Sequence, residues 1–491
     1  MKAVLSGTLQ IHARLTDYYE DNLEYDIVTV KSANSLDGKI DSMYDKVIIK
    51  PHRFFDSVTQ EIRTADITGD GLLDDTLYVT MTLNENPFED AAQTYNQRSL
   101  GQALDSIYAL KDQRWLPFLR NFWYLEDPDF LDSYKLFSGE IRAHSLLLPK
   151  QNLWTYTNDR IGFNQCNGHV FFGPQNRSCN NVSSKGLWGT AIYDKNTTSS
   201  DGNAGGYDLK RLGFMVGYDR AFECGQSYMG AVFSFNQGEI NAYRSEAKAN
   251  DFQFGLYHGK LINCTWEWKN FLGMGIQDYK TKRDIDLGLG NMDWGNNQFT
   301  CSYDDHLINM MSDFGGFNLA GSTELARPFY FGECKQWTVR PYFALDLQAI
   351  WQNAASEYSD STATYEVNNV NYRASDLVAL DFHSSSNIRL YGRPGITVER
   401  GGSNGNLRAG VSYSYLMGGR RYTNVDNQFQ FGGNEFNIRG VDDGSGFVTA
   451  NVGAGVYLDE CKSRMLMLDY WVMGGSHSTT HAFQLGYQRN F

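Results

Sequence analysis

His481-Ala-Phe483-Gln-Leu485-Gly-Tyr487-Gln-Arg489-Asn490-Phe491 is the stretch that decides how the rest of the sequence is read. In an extended chain Phe483, Leu485, Tyr487 and Phe491 share one face, while Gln484, Gly486, Gln488 and Asn490 share the other. Chain ends of soluble domains usually fray. A period-two strand finishing on an aromatic fits the closing strand of a membrane-spanning β-barrel, whose outward face is apolar and whose strand ends carry aromatic residues.

The same alternation recurs upstream. Val448, Ala450, Val452, Ala454, Val456 and Leu458 oppose Thr449, Asn451, Gly453, Gly455 and Tyr457. Leu407, Ala409, Val411, Tyr413, Tyr415 and Met417 oppose Arg408, Gly410, Ser412 and Ser414. Phe343, Leu345 and Leu347 alternate with Tyr342, Asp346 and Gln348, and Trp266, Trp268, Leu272, Met274 and Ile276 alternate with Glu267, Lys269, Gly273 and Gln277. Leu212, Phe214, Val216 and Tyr218 do likewise against Arg211, Gly213 and Asp219.

Composition supports β architecture: 491 residues hold 30 Tyr, 30 Phe, 10 Trp and 48 Gly against only 9 Pro. A mean hydropathy of -0.45 and the lack of any apolar run of about 18 residues exclude a transmembrane helix. Neither excludes a barrel, because lumen-facing polar residues dilute the hydropathy of every strand. With 43 basic against 57 acidic residues, the net charge of -14 argues against a nucleic-acid partner.

From Gly186 onward the pattern predicts about twelve strands, at 186–195, 209–221, 226–236, 249–258, 264–279, 307–328, 336–352, 386–400, 406–418, 446–458, 463–474 and 480–491. An even number puts both ends of the barrel on one side. Links at 222–225, 259–263, 332–335, 401–405 and 459–462 are short; those at 284–305, 353–385 and 419–445 are long. Short turns on one rim and long loops on the other characterise outer-membrane barrels. The expected fold is therefore all-β, a 12-stranded antiparallel transmembrane barrel.

At this point the residues resemble the translocator, or β-domain, of the monomeric autotransporters of type V secretion. The resemblance is carried by Ala92-Gln-Thr-Tyr-Asn96-Gln97 with Ala103-Leu104-Asp105, by Ser138-Gly139-Glu140, and by Gly186-Leu-Trp188-Gly with Gly213-Phe-Met-Val-Gly217-Tyr-Asp219. Arg340-Pro341-Tyr342 and Gly486-Tyr-Gln-Arg-Asn-Phe491 complete it. Their order and spacing are specific together, and none is specific alone. Arg489 departs from the apolar residue that many members of the family carry there.

The resemblance implies an outer-membrane protein, anchored in lipid, that exports its own N-terminal passenger to the cell surface. It implies four parts: the C-terminal end of a β-solenoid passenger at 1–86, a helical junction at 87–137, a pore helix and linker at 138–185, and the barrel at 186–491. Glu140, Arg142, Asp159 and Arg160 would belong to the pore helix, which Pro149 would kink. The inward set Arg211, Asp219, Glu267, Lys269, Arg340, Asp346, Arg389, Arg393, Glu399 and Arg408 would keep the lumen wet. Phe483, Leu485, Tyr487 and Phe491 would be the signal read by the barrel-assembly machinery. A monomer without cofactors is expected. A porin-like channel and a surface adhesin are the alternatives.

Read from the residues themselves, Leu100, Ala103, Leu104 and Ile107 follow Thr94 at helical spacing, with Thr94 a candidate N-cap. Gly7-Thr-Leu-Gln-Ile-His, Tyr25-Asp-Ile-Val-Thr-Val and Thr76 to Leu83 read as short strands. Residues 1–15 lack the apolar core of a secretory signal, so a segment upstream of Met1 is expected. Asp66-Ile-Thr68-Gly-Asp70-Gly71-Leu-Leu-Asp74 copies the start of a calcium loop, but its twelfth position is Leu77, which supplies no carboxylate. Cys166 and Cys179 precede the first strand and leave a disulfide open. Cys224, Cys334 and Cys461 sit in turns four strands apart, on the order of 20 Å at ~4.8 Å per strand, beyond the ~7 Å that a disulfide allows. No Gly-x-Ser-x-Gly elbow, His-Glu-x-x-His helix or phosphate-binding glycine loop is present, so no enzyme is expected.

Overall fold

Alternating sequence can satisfy its backbone in lipid only if the strands pair into a ring without edges. In the computed structural model they do. It describes residues 2–12, 22–50, 52–123, 133–148, 161–164, 169–172, 185–222, 227–263, 265–286, 307–332, 336–367, 370–460 and 463–491. The ring consists of β1 (Lys185–Thr198), β2 (Tyr207–Phe222), β3 (Ser227–Ala242), β4 (Ser245–Ile262), β5 (Trp266–Asp286) and β6 (Leu307–Ala326). It continues with β7 (Trp337–Gln352), β8 (Ser385–Gly401), β9 (Gly405–Gly419), β10 (Gly446–Tyr457), β11 (Arg464–Gly474) and β12 (Ser478–Asn490).

Each strand pairs antiparallel with the next, and β1 closes the ring on β12 with Gly186 opposite Asn490 and Thr198 opposite Ser478. The twelve-stranded antiparallel barrel expected from the sequence is thus closed. No helix among the described residues is long and apolar enough to cross a membrane. Burial alternates as the period of two requires: Leu212, Phe214, Val216 and Tyr218 are exposed, and Arg211, Met215 and Asp219 are buried.

Two rings of outward aromatics bracket the wall. Trp266, Trp268, Phe331, Trp337, Tyr487 and Phe491 lie toward one rim, and Phe252, Phe317, Tyr413, Tyr415 and Phe483 toward the other. β5 and β6 are 21 and 20 residues long, about twice the 9–11 residues that cross a bilayer. They therefore rise above the apolar band.

Lengths of the links follow the expected segregation in part. The rim that bears Phe491 has the tight links. The opposite rim carries the loops 353–384 and 420–445 and the long separation between the ends of β5 and β6, together with two tight turns of its own, Ala242 to Ser245 and Gly474 to Ser478. Loops 353–384 and 420–445 are built structures. Loop 353–384 contains Ala355–Ser356 paired with Leu380–Phe382, and loop 420–445 contains a hairpin of Asn424–Phe429 with Phe436–Arg439. Leu380–Phe382 pairs with Asn424–Phe429, so the two loops form one sheet.

Before the barrel, Lys2–Val4 pairs parallel with Lys39–Ser42 and Thr8–His12 pairs parallel with Lys46–Lys50. Asp74–Leu83 then runs antiparallel between Asn22–Val30 and Phe55–Ala65 over a small core of Ile49, Val79 and Met81. Helices follow, among them α1 (Pro87–Asp90), α2 (Tyr95–Ala109), α3 (Leu116–Trp123) and α4 (Glu140–Ser145). Thr94 caps α2 in a capping box: its side chain accepts from the Gln97 N–H, while the Gln97 side chain accepts from the Thr94 N–H at 3.1 Å. The buried stripe Leu100, Ala103, Leu104, Ile107 faces Phe88, Trp115, Phe118 and Phe122, and the same core continues into Leu380, Phe382, Val425, Phe429 and Ile438 of the two loops. Between α4 and β1 the described residues form a short hairpin, Ile161–Asn164 with His169–Phe172.

Candidate functional site in the barrel lumen

Inward positions on neighbouring strands stack their charges at the same height, and the opposite signs meet. On the wall made by β5 to β8, Arg340 donates from Nε to Glu267 Oε2 at 2.5 Å and from Nη2 to Glu324. Arg393 donates from Nε to Asp346 Oδ2 at 2.7 Å, and Ser322 Oγ donates to Asp346 Oδ1 at 2.6 Å. Lys269 and Arg393 stand 3.9 and 3.8 Å from Glu324, so one carboxylate is held among three cations. On the adjoining wall of β9 to β11, Arg408 grips Asp469, Nε to Oδ1 at 2.8 Å and Nη2 to Oδ2 at 2.8 Å.

Higher up, Arg211 Nε donates to both carboxylate oxygens of Asp194, at 2.9 and 3.0 Å. Arg389 Nη1 donates to Asp443 Oδ2 at 2.5 Å. Near the short-turn rim, Asp219 accepts from the Tyr257 hydroxyl at 2.8 Å, and that hydroxyl accepts from Trp188 Nε1 at 2.9 Å. Asn406 Nδ2 donates to Glu399 at 3.2 Å. Every inward charge named from the sequence therefore lies inside the barrel. A cavity lined in part by Asp194, Arg211, Asp346, Arg393, Tyr391 and Trp471 runs between them.

The partners Asp194, Glu324 and Asp469 were not among the residues picked from sequence. Parity held the signal for one of them: Phe317, Leu319 and Leu325 face out, which assigns Glu324 to the inside. Arg283 was also missed. It reaches from β5 into loop 353–384, Nε to Glu357 Oε1 at 2.7 Å, a pairing that no local pattern encodes.

Of the four residues assigned to the pore helix, Glu140 and Arg142 lie on α4 at the long-loop mouth. Glu140 Oε2 accepts from the Gly205 N–H at 3.0 Å and Oε1 from Asn96 Nδ2 at 3.1 Å. Arg142 lays its guanidinium 3.3 Å from the centre of the Phe314 ring and donates to the Asn353 carbonyl. Asp159, Arg160, Pro149 and all seven cysteines lie outside the described residues. Phe483, Leu485, Tyr487 and Phe491 are exposed on the outer face. The Phe491 N–H donates to the Lys185 carbonyl at 2.9 Å, and Arg489, also outward, rests 4.9 Å from the Phe491 ring centre.

In the turn at 66–74, Asp66 accepts backbone N–H bonds from Gly69 at 2.6 Å and Gly71 at 3.0 Å, and Asp74 accepts from Ile67 at 3.0 Å and Thr68 at 3.1 Å. These carboxylates are engaged in shaping the turn.

Residues 187–378 match the family model of the autotransporter beta-domain. No curated protein matches the chain in sequence. Among solved structures, the translocator domain of the autotransporter NalP from Neisseria meningitidis is 10% identical with a TM-score of 0.49, the match covering 73% of this chain and 99% of that one. The beta domain of the Bordetella autotransporter BrkA is 15% identical with a TM-score of 0.39, over 63% of this chain and 100% of that one. The toluene transporter TodX of Pseudomonas putida reaches 9% identity and a TM-score of 0.37, over 63% and 90%. The family match lies within the closed twelve-stranded wall and assigns this part of the chain an autotransporter beta-domain, an outer-membrane translocator for a passenger.

Proposed function

We propose that residues 149–184 cross the lumen and join the exported part of the chain, at the outer mouth, to β1 at the periplasmic rim. One observation carries this reading. Arg211 Nη1 donates to the Leu148 carbonyl at 3.1 Å, inside the long-loop end of the barrel, whereas Lys185 opens β1 at the opposite rim. Asp194, which pairs with Arg211, lies about 30 Å along β1 from Lys185 at ~3.4 Å per residue. A helix of ~20 residues covers that length, and an extended chain needs fewer.

On this reading the chain has the four parts 1–86, 87–137, 138–185 and 186–491: passenger end, junction, pore segment and barrel. The nearly equal offsets of the parallel pairs, Lys2 on Lys39 and Thr8 on Lys46, which differ by one residue at a register shift after Ala3, support one solenoid coil laid on the next. The lumen acts by electrostatics and sterics, with no chemical step, and we assign no catalysis to the strands of 1–86. Arg211, Asp219, Glu267, Lys269, Arg340, Asp346, Arg389, Arg393 and Arg408 would present both signs of charge to the passing chain. The barrel would work as a monomer, inserted by the barrel-assembly machinery through Phe483, Leu485, Tyr487 and Phe491. An open porin is disfavoured by α4 in the mouth.

The test is a photo-crosslinking amino acid at position 159 or 160 of the full-length protein in outer membranes. Adducts with inward positions such as Asn451 on β10 are expected. Adducts confined to residues outside the barrel would contradict the reading.

A further inference from the structure

Inward side chains change character along the barrel axis. Through the lower lumen they are polar and charged. At the long-loop end of β2 to β6 they become apolar: Tyr207, Leu209, Ile240, Ala247, Ala249, Tyr279 and Phe314 form a collar. Apolar surface facing a water-filled mouth is unfavourable, by roughly 25 cal/mol per Å², so a collar of this kind belongs against protein. Ile141, Leu147 and Leu148, on α4 and the turn after it, pack against it.

The other side of α4 and the segment before it look outward. Tyr134, Phe137, Ala143 and Leu146 continue into the core shared by α2, α3 and the two long loops. The loops contribute Leu380, Phe382, Val425, Phe429, Phe436 and Ile438, all buried, and without the helices these residues would have no cover on that side. Loops and helices therefore depend on each other for a core.

The polar contacts between them are matched residue by residue. The Asn96 side-chain amide mates with the backbone of Arg439: Nδ2 donates to the carbonyl at 2.8 Å and Oδ1 accepts from the N–H at 2.9 Å. Ser99 Oγ accepts from the Asn437 N–H at 2.8 Å, and Ser106 Oγ accepts from the Asn434 N–H at 2.8 Å. Asn96, Ser99 and Ser106 lie on one face of α2. That face supplies the strand Phe436–Arg439 and the turn before it with partners that a neighbouring strand would otherwise give. The Arg439 guanidinium also lies 3.4 Å from the Tyr95 ring centre, and Asn427 Nδ2 donates to the Ser138 carbonyl at 2.8 Å.

We infer that the two long outer loops form a receptor for the junction helices of their own chain, and that this docked assembly closes the outer mouth to ions. Filling of the lumen by residues 149–184 is a separate matter, settled by the crosslinking described above; the inference rests on that reading only for which rim is outside. Docking follows export, because the receptor's core is completed only when α2, α3 and α4 have reached the outer side.

The test uses the full-length protein in planar bilayers, with hydrogen exchange on the same preparation. The wild type is expected to show no steady conductance and strong protection over 424–439. Leu104→Asp places a charge in the shared core; it should speed exchange over 424–439 and raise the time-averaged conductance at least tenfold. Faster exchange with conductance still at the wild-type level would overturn the inference, as would a conducting wild type. If Leu104→Asp fails to assemble, Asn96→Ala removes the backbone clamp without a buried charge. It must then raise exchange and conductance together, and any other result with that variant counts against the receptor.

Discussion

The Trp188 indole occupies the space that a side chain at Gly217 would need: a Cβ built on Gly217 would lie 2.2 Å from Trp188 Cζ2. The two residues face each other across β1 and β2. Trp188 is thereby laid flat against the inner wall, where its Nε1 reaches Tyr257 on β4, which in turn holds Asp219 on β2. The first strand is thereby tied through side chains to β2 and β4, besides its pairing with β12.

Gly217→Val should therefore expel the indole and break that chain of hydrogen bonds. Overpacking costs typically ~1–3 kcal/mol. Heat-modified mobility of the barrel on gels should show a lower transition temperature, whereas Gly217→Ala should fall between valine and wild type. A valine variant with unchanged thermal stability would show that the wedge carries no load.

Glu324 stands among Arg340, Lys269 and Arg393. Glu324→Gln removes the shared carboxylate, yet Arg340 keeps Glu267 and Arg393 keeps Asp346. Removing one member of a buried pair costs ~3–5 kcal/mol when nothing replaces it; with these second partners about 2 kcal/mol is expected. Urea unfolding in lipid vesicles measures it, with Lys280→Gln, on an exposed pair with Asp313, expected to lie within ~1 kcal/mol of wild type.

The wall of the barrel was legible because its rule is local. A side-chain period of two, read against an apolar exterior, gives strand positions and facing together, so residues such as Arg211, Asp346 and Arg408 were placed inside from sequence. What was not legible depends on distant partners. Nothing near Arg283 announces Glu357 in a loop, and loop 353–384 reads as an irregular link because its strands are short and its last one, Leu380–Phe382, takes a second partner from loop 420–445. Leu209 carried a readable signal. It shares parity with Arg211 and is apolar on an inward face, which marks a place where the lumen is covered by protein.

Asp105 on α2 is buried, and its carboxylate accepts from the N–H groups of Phe88 at 3.0 Å and Glu89 at 2.9 Å. Burial pushes its pKa up to about 7, with the two hydrogen bonds opposing and the charges of Glu89 and Asp90 adding to the rise. The unfolded value is near ~3.9. Between these values the folded junction binds more protons than the unfolded chain, so its stability falls as pH rises from about 4 to 7 and levels above that. Protection factors for α1 and α2, corrected for intrinsic exchange, should be higher at pH 5 than at pH 8. Asp105→Asn should flatten the difference, and greater protection at pH 8 in the wild type would contradict the assignment.

Phe491 is 55% exposed on the short-turn rim, where its ring adds to the aromatic band and its N–H ties β12 to β1. Deleting Phe491 is expected to abolish insertion, read as loss of the heat-modifiable form in outer-membrane fractions, with unfolded chain accumulating in the periplasm. Phe491→Tyr should insert normally. Full insertion of the deletion variant would remove Phe491 from the assembly signal.

The most direct measurement of the account is the sidedness of two tags. An epitope in the exposed turn at Gly71 lies in the N-terminal part, and one in the turn between Gly401 and Gly405 lies on the short-turn rim. On intact cells an antibody should label the first tag and reach the second only after the outer membrane is permeabilised. Labelling of the 401–405 tag on intact cells, with the Gly71 tag hidden, would contradict a barrel that holds the N-terminal part of its own chain at the cell surface.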